Sequence, residues 1–140
     1  MILNELDILD AFYSYISSSG LKEMVSGNLY RMPWPHGSEK EDIVLSVLTS
    51  GNGQIQPFVL NVNIYVPDIK RGNEYILNEQ RIAPLMRIAA EVLSHGIMTH
   101  VVNGNKYGIL YDLESQKIHE VSGVDYHAIN HRINVKVYTE

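Results

Sequence analysis

The fold of this chain is decided by an alternating stretch near its middle, Val59-Leu60-Asn61-Val62-Asn63-Ile64-Tyr65-Val66. The even-numbered positions 60, 62, 64 and 66 are all apolar, and their side chains share one face because successive residues of a strand point to opposite sides. The odd-numbered positions 61, 63 and 65 carry two asparagines and a tyrosine on the other face. Such alternation predicts an antiparallel sheet with one buried face and one polar face.

A second strand precedes this stretch and is predicted to pair with it. Ile43–Thr49 is rich in β-branched and aliphatic residues, which favour strands. The residues after it, Ser50–Gln54, contain the Asn-Gly pair that is typical of hairpin turns. We therefore expect a hairpin whose return strand runs from Ile55 or Phe58 to Val66.

Two helices are predicted from apolar residues that recur at spacings of three and four. The first runs from Leu6 to Ile16, and Asn4 can cap it together with Asp7 three residues on. The second runs from Glu79 to about Ser94. Pro84 lies too deep in it to be the first helical residue, so we expect a kink or a later start.

The last third of the chain consists of predicted strands, and a polar loop is expected over residues 69–78. The strands are Ile97–Val102, Tyr107–Leu113, Lys117–Val121 and Tyr126–Tyr138, with turns at Asn103–Asn105 and Leu113–Gln116. In the final strand His131 falls on the apolar face and Lys136 on the polar face. The element order indicates one α+β domain over residues 1–140, with two helices packed on one face of a mostly antiparallel sheet.

Composition excludes several classes of protein. With 140 residues and no cysteine, the chain needs no disulfide or metal to build a core, and thiol nucleophiles and cysteine zinc sites are excluded. Eleven basic against 16 acidic residues argue against broad binding to nucleic-acid backbones and leave room only for a local basic patch. We expect no sequence-specific nucleic-acid partner. An acidic N-terminus and the lack of a long apolar run predict a soluble, intracellular protein that does not bind membranes.

No catalytic or metal constellation is found among the polar residues. His127 and His131 lie about 13 Å apart on a strand, too far to share one ion. The acidic cluster Glu39, Glu41 and Asp42 is expected to be a solvated surface. We therefore predict a non-enzyme without metal or cofactor; a hydrolase or nuclease would need convergence of histidine and carboxylate, for example His127 with Asp125.

The polar face of the sheet supplies the interface candidates. Asparagine is disfavoured in strands, so asparagines at outward positions suggest either simple solvation or a surface that hydrogen-bonds a neighbouring subunit. The single tryptophan lies in a proline-rich loop, where it either covers the edge of the core or projects toward a partner. The candidates are Trp34, Asn61, Asn63, Asn130 and Asn134.

The order of these features resembles the small tail-completion, tail-terminator and head–tail joining proteins of long-tailed bacteriophages. The residues that carry the resemblance are the helix Leu6–Ile16, Gly27-Asn28-Leu29-Tyr30, the loop Met32–Ser38, the strand end Val62–Val66, the helix Asn78–Ser94 and the strand His131–Val137. The resemblance covers nearly the whole chain and rests on the order of the elements, the chain length and the general residue pattern. It implies an α+β subunit without catalytic residues that closes into a ring, commonly a hexamer.

The resemblance also implies partners and a location. Such a ring contacts other tail or head-connector proteins, and the protein is expected in the cytoplasm during assembly and then in the virion. The alternative is a small intracellular binding module for a peptide strand or a small ligand.

Overall fold

The computed structural model describes residues 3–49 and 56–139. Three helices lie in these ranges: α1 (Glu5–Ser17), α2 (Gly20–Met24) and α3 (Glu79–Leu93). The strands of the same ranges are β1 (Leu29–Arg31), β2 (Asp42–Thr49), β3 (Gln56–Pro67), β4 (Ile69–Arg71), β5 (Glu74–Ile76), β6 (His95–Val102), β7 (Asn105–Glu120) and β8 (Tyr126–Thr139).

Six strands form one sheet in the order β1-β2-β3-β8-β7-β6. Every neighbouring pair is antiparallel except β1–β2, which is parallel. The alternating stretch lies in β3 at the centre of the sheet, where Val62 is opposite Leu45 of β2 and His131 of β8. Its even-numbered residues are buried, as predicted.

The helices cover one face of the sheet, which we call the inner face. Helix α1 buries four residues against it and α3 buries four more: Ile8, Ala11, Phe12 and Ile16 from α1, and Ile82, Leu85, Ala89 and Leu93 from α3. The predicted cap of α1 is confirmed, because the Asn4 side chain accepts from the Asp7 amide at 2.9 Å and Asp7 accepts from the Asn4 amide at 2.8 Å. The α+β class and the mostly antiparallel sheet are confirmed.

The predicted turn at Leu113–Gln116 is wrong, because one continuous strand, β7, runs through it. Leu113 pairs with Ile133 and Ser115 pairs with Arg132, so Glu114 is the extra residue of a β-bulge. A bulge inserts one residue without ending the strand and exchanges the faces that later residues occupy. Gln116 therefore points to the inner face, opposite His131.

The predicted loop over residues 69–78 contains a short hairpin, β4–β5. Gly72, with a φ of 63°, occupies the first position of its two-residue turn. Glycine adopts this angle without a steric penalty, so the polar segment pairs with itself. The second long helix begins at Glu79 as predicted and keeps Pro84 inside it.

The predicted turn Ser50–Gln54 lies outside the described residues. Within 3–49 and 56–139, the helices are too short or too polar to span a membrane.

Candidate functional site

The loop from residue 32 to residue 41 folds over the outer face of the sheet, opposite the helices. Trp34 stacks on Tyr65 with ring centroids 4.3 Å apart and planes 6° apart. Its edge also meets Tyr126, at 4.8 Å and 72°. The indole is half-buried by these contacts within the chain. Trp34 thus covers the outer face, and its role as an interface residue stays a prediction.

The side chain of Asp42, in β2, holds this loop by hydrogen bonds. One carboxylate oxygen accepts from the Trp34 indole N–H at 3.0 Å and from the Ser38 hydroxyl, and the other accepts from the Asn28 amide at 3.0 Å. The residue is only 1% exposed. A Cβ at Gly27 would lie 2.1 Å from the carboxylate, so only glycine leaves room for this anchor.

Glu41, the neighbour of Asp42, joins the same segment to helix α3. Its carboxylate accepts from Arg81 Nε at 2.6 Å and Nη2 at 2.7 Å, and from the Ser26 amide at 3.1 Å. The hydrogen bond with Glu41 raises the pKa of Arg81. Glu41 and Asp42 are both buried, so the expectation of a solvated acidic cluster is wrong for these two residues. It holds for Glu39, which is exposed.

The asparagines of the outer face bond to one another across the sheet. Asn130 Nδ2 donates to Asn63 Oδ1 at 2.8 Å and to Asn61 Oδ1 at 3.2 Å. Asn63 lies directly opposite Asn130 in the register, and Asn61 is two residues along the same strand. Asn134 lies further along β8, opposite Val59, and is half-buried. Pairing between strands thus brings three of the four candidates together; their role toward a neighbouring subunit stays a prediction.

The two histidines of β8 have different environments. His131 is fully buried on the inner face, where Nδ1 donates to the Val62 carbonyl at 3.1 Å and Nε2 accepts from the Gln116 amide at 2.9 Å. Burial lowers the pKa of His131, so the ring is neutral and its tautomer follows from these partners. The Gln116 amide also donates to the Met86 carbonyl of α3 at 2.8 Å.

His127 pairs with Asp68 at 2.5 Å, and not with the side chain of Asp125 that sequence reasoning suggested. The main chain of Asp125 accepts from the Asp68 amide at 2.9 Å. The His127–Asp68 pair joins the start of β8 to the residue that follows β3. Across the described ranges, no three or more histidines and carboxylates are placed to hold a metal ion.

The feature that sequence reasoning missed is the edge strand β6. It ends the strand order, so no strand of the described chain pairs with its far side. Ile97 and Val101 of β6 are 65% and 56% exposed on the outer face, and Leu110 of β7, opposite Ile97, is 40% exposed. A groove of about 550 Å³ runs beside them, between Ile97, Leu110 and Lys136.

Strand β6 also lacks the residues that protect sheet edges. Its sequence, His-Gly-Ile-Met-Thr-His-Val-Val, contains no lysine, proline or carboxylate. Natural edge strands are blunted by such residues, by bulges or by cover from another element, because unpaired backbone groups otherwise bind further strands. The composition of β6 was visible in the sequence, but its position at the edge depends on the strand order.

Comparison of the chain with protein families and with curated proteins gave no match to either.

Proposed function

We propose that this protein is a structural, non-catalytic subunit of a phage or prophage tail, of the tail-completion or head–tail joining kind, and that it acts by ring-like self-assembly. The observation that carries the proposal is the unprotected edge β6, with Ile97, Val101 and Leu110 exposed beside it. An edge of eight residues with an apolar outer face is suited to a permanent neighbour.

The polar groups of the interior fit a structural role. Asp42 holds the loop over the outer face, and the Glu41–Arg81 pair holds that segment against α3. His131 and Gln116 join the sheet to the same helix. These side chains form hydrogen bonds to other parts of the same chain, and such bonds make a structural subunit rigid.

The same edge favours one alternative, a module that binds an extended peptide. Strand addition at a free edge uses main-chain hydrogen bonds for affinity and pockets beside the strand for specificity. The groove between Ile97, Leu110 and Lys136 could take one side chain of such a peptide. The alternative predicts a monomer that binds a partner strand, whereas the proposed function predicts association of the chain with itself.

We expect the purified chain to form closed oligomers whose mass rises with concentration and then reaches a plateau. Ile97→Glu should weaken each contact about 10- to 100-fold, since burying one large aliphatic side chain contributes about 1.5–3 kcal/mol. Light scattering over a concentration series, with negative-stain images of the large species, measures both effects.

Val124→Glu is the matched control for that experiment. Val124 is an exposed aliphatic residue in the turn between β7 and β8, away from β6. The Val124→Glu variant should assemble like the unsubstituted chain. A monomer at every concentration would contradict self-assembly and favour the peptide-binding module.

A further inference from the structure

The two ends of the sheet carry complementary side-chain surfaces, and we infer that the outer-face patch beside β6 of one copy docks against helix α1, which lies beside β1, of a second copy. This inference rests on the proposed function and names the surfaces that would meet. The first surface, the β6 patch, consists of Ile97, Val101 and Leu110 with Lys106 and Lys136. The second, the α1 stripe, consists of Leu6, Asp7, Asp10 and Tyr13.

The β6 patch is apolar with a basic border. Lys136 of β8 lies opposite Leu110 in the register, and Lys106 of β7 lies opposite Val101. Both lysines are exposed. Asp112 is the exposed acidic residue beside the groove, so cations outnumber anions around the apolar centre. A surface of this kind favours an apolar partner with acidic residues around it.

The α1 stripe has the opposite character. Leu6, Asp10 and Tyr13 share one helical face at spacings of four and three, and Leu6 is 63% exposed. The helix adds Glu5 and Asp7 in its first turn. Arg31 of β1 pairs with Asp10 and lies over the Tyr13 ring at 5.3 Å. Among the side chains that the structure describes here, the carboxylates of Glu5, Asp7 and Asp10 thus lie beside the guanidinium of Arg31, with Leu6 and Tyr13 between them.

The position of the two surfaces determines the symmetry of the contact. The α1 stripe adjoins β1, because Tyr13 donates to the Leu29 carbonyl at 3.4 Å and Asp10 pairs with Arg31. Four strands lie between β1 and β6, so each copy presents its two surfaces to different neighbours. Such head-to-tail contacts close into rings or continue as filaments.

A mixing experiment with two single variants tests this arrangement. Ile97→Glu damages the β6 patch and leaves the α1 stripe intact, and Leu6→Gln does the reverse. Each variant alone should be monomeric at concentrations where the unsubstituted chain is assembled. Equimolar mixing should give a species of two chains, because one intact patch then meets one intact stripe and growth stops there. Light scattering gives the mass, and native mass spectrometry of one isotope-labelled variant gives the 1:1 composition.

Matched controls separate these effects from loss of folding. Ile118→Gln and Val124→Glu make the same chemical changes at exposed apolar positions outside both surfaces, and each should assemble normally. Circular dichroism melts should be alike for all four variants, since the substituted side chains are exposed.

The outcomes distinguish this inference from the proposed function. If Leu6→Gln assembles like the unsubstituted chain, or the mixture yields no two-chain species, head-to-tail docking is overturned while self-assembly stands. If the unsubstituted chain is monomeric throughout, self-assembly itself fails and the docking inference fails with it.

Discussion

Asp42→Ala should lower the free energy of unfolding by about 3 kcal/mol and release Trp34 from the outer face. The substitution leaves three hydrogen-bond donors without their acceptor: the Trp34 indole, the Ser38 hydroxyl and the Asn28 amide. A buried donor that loses its partner costs about 1–3 kcal/mol, and bonds to a charged acceptor lie toward the upper end. Water reaches the half-buried indole, which keeps the total below the sum of three full penalties.

Urea unfolding and fluorescence measure this effect together. Trp34 is the single tryptophan, so a shift of its emission to longer wavelength reports release of the loop directly. Asp42→Asn should lower the free energy of unfolding less than Asp42→Ala, because the asparagine side chain keeps one oxygen that accepts hydrogen bonds. Some loss remains, since its NH2 group cannot accept. Glu39→Ala is the matched control, since Glu39 is an exposed carboxylate of the same loop, and surface changes of this kind stay within about 0.5 kcal/mol.

An unchanged urea midpoint together with native emission in Asp42→Ala would show that the carboxylate does not anchor the loop. The stacking of Trp34 on Tyr65 would then have to hold the segment by itself. Tyr65→Ala in the same assay measures that stacking contribution separately, because Tyr65 accepts no hydrogen bond from the indole.

The parts of the fold that could be predicted are those that local sequence determines. Alternation over residues 60–66 identifies the central strand because burial of one face requires a period of two. The spacing of apolar residues identifies α1 and α3, and Asn4 with Asp7 marks the start of α1 through bonds between near neighbours. These signals need no knowledge of what lies across the sheet.

The parts that could not be predicted depend on residues distant in sequence. Glu41 and Asp42 look like a solvated cluster until Arg81, 40 residues later, and the Trp34 loop cover them. The polar run around Glu114 looks like a turn, yet the pairing of β7 with β8 continues through it as a bulge. The exposure of β6 follows from the strand order, and the composition of one strand does not predict its place in that order.

We expect the buried histidine of β8 to make the stability of the fold depend on pH. His131 bonds to neutral groups: the Val62 carbonyl, the Gln116 amide and the backbone of Ile129. Burial lowers its pKa in the folded chain, whereas in the unfolded chain the pKa is about 6.5. Between these two values the unfolded chain binds a proton that the folded chain does not, so acidification favours unfolding.

We therefore expect full stability above about pH 6.5 and a decrease below it, with a slope from His131 of at most about 1.4 kcal/mol per pH unit. His131→Gln keeps a donor and an acceptor at this position but cannot titrate. Its urea midpoint should change less than that of the unsubstituted chain between pH 7.5 and pH 5. The difference between the two curves isolates His131 from the carboxylates that titrate in both chains.

His119→Gln is the matched control, because His119 is an exposed histidine on β7. It should follow the pH dependence of the unsubstituted chain. Parallel curves for His131→Gln and the unsubstituted chain would mean that the folded protein accepts a proton at His131. The Gln116 amide would then have to turn its oxygen toward Nε2 of His131 and give up its bond to the Met86 carbonyl. Because Met86 lies in α3, protonation of His131 would then be linked to the position of that helix.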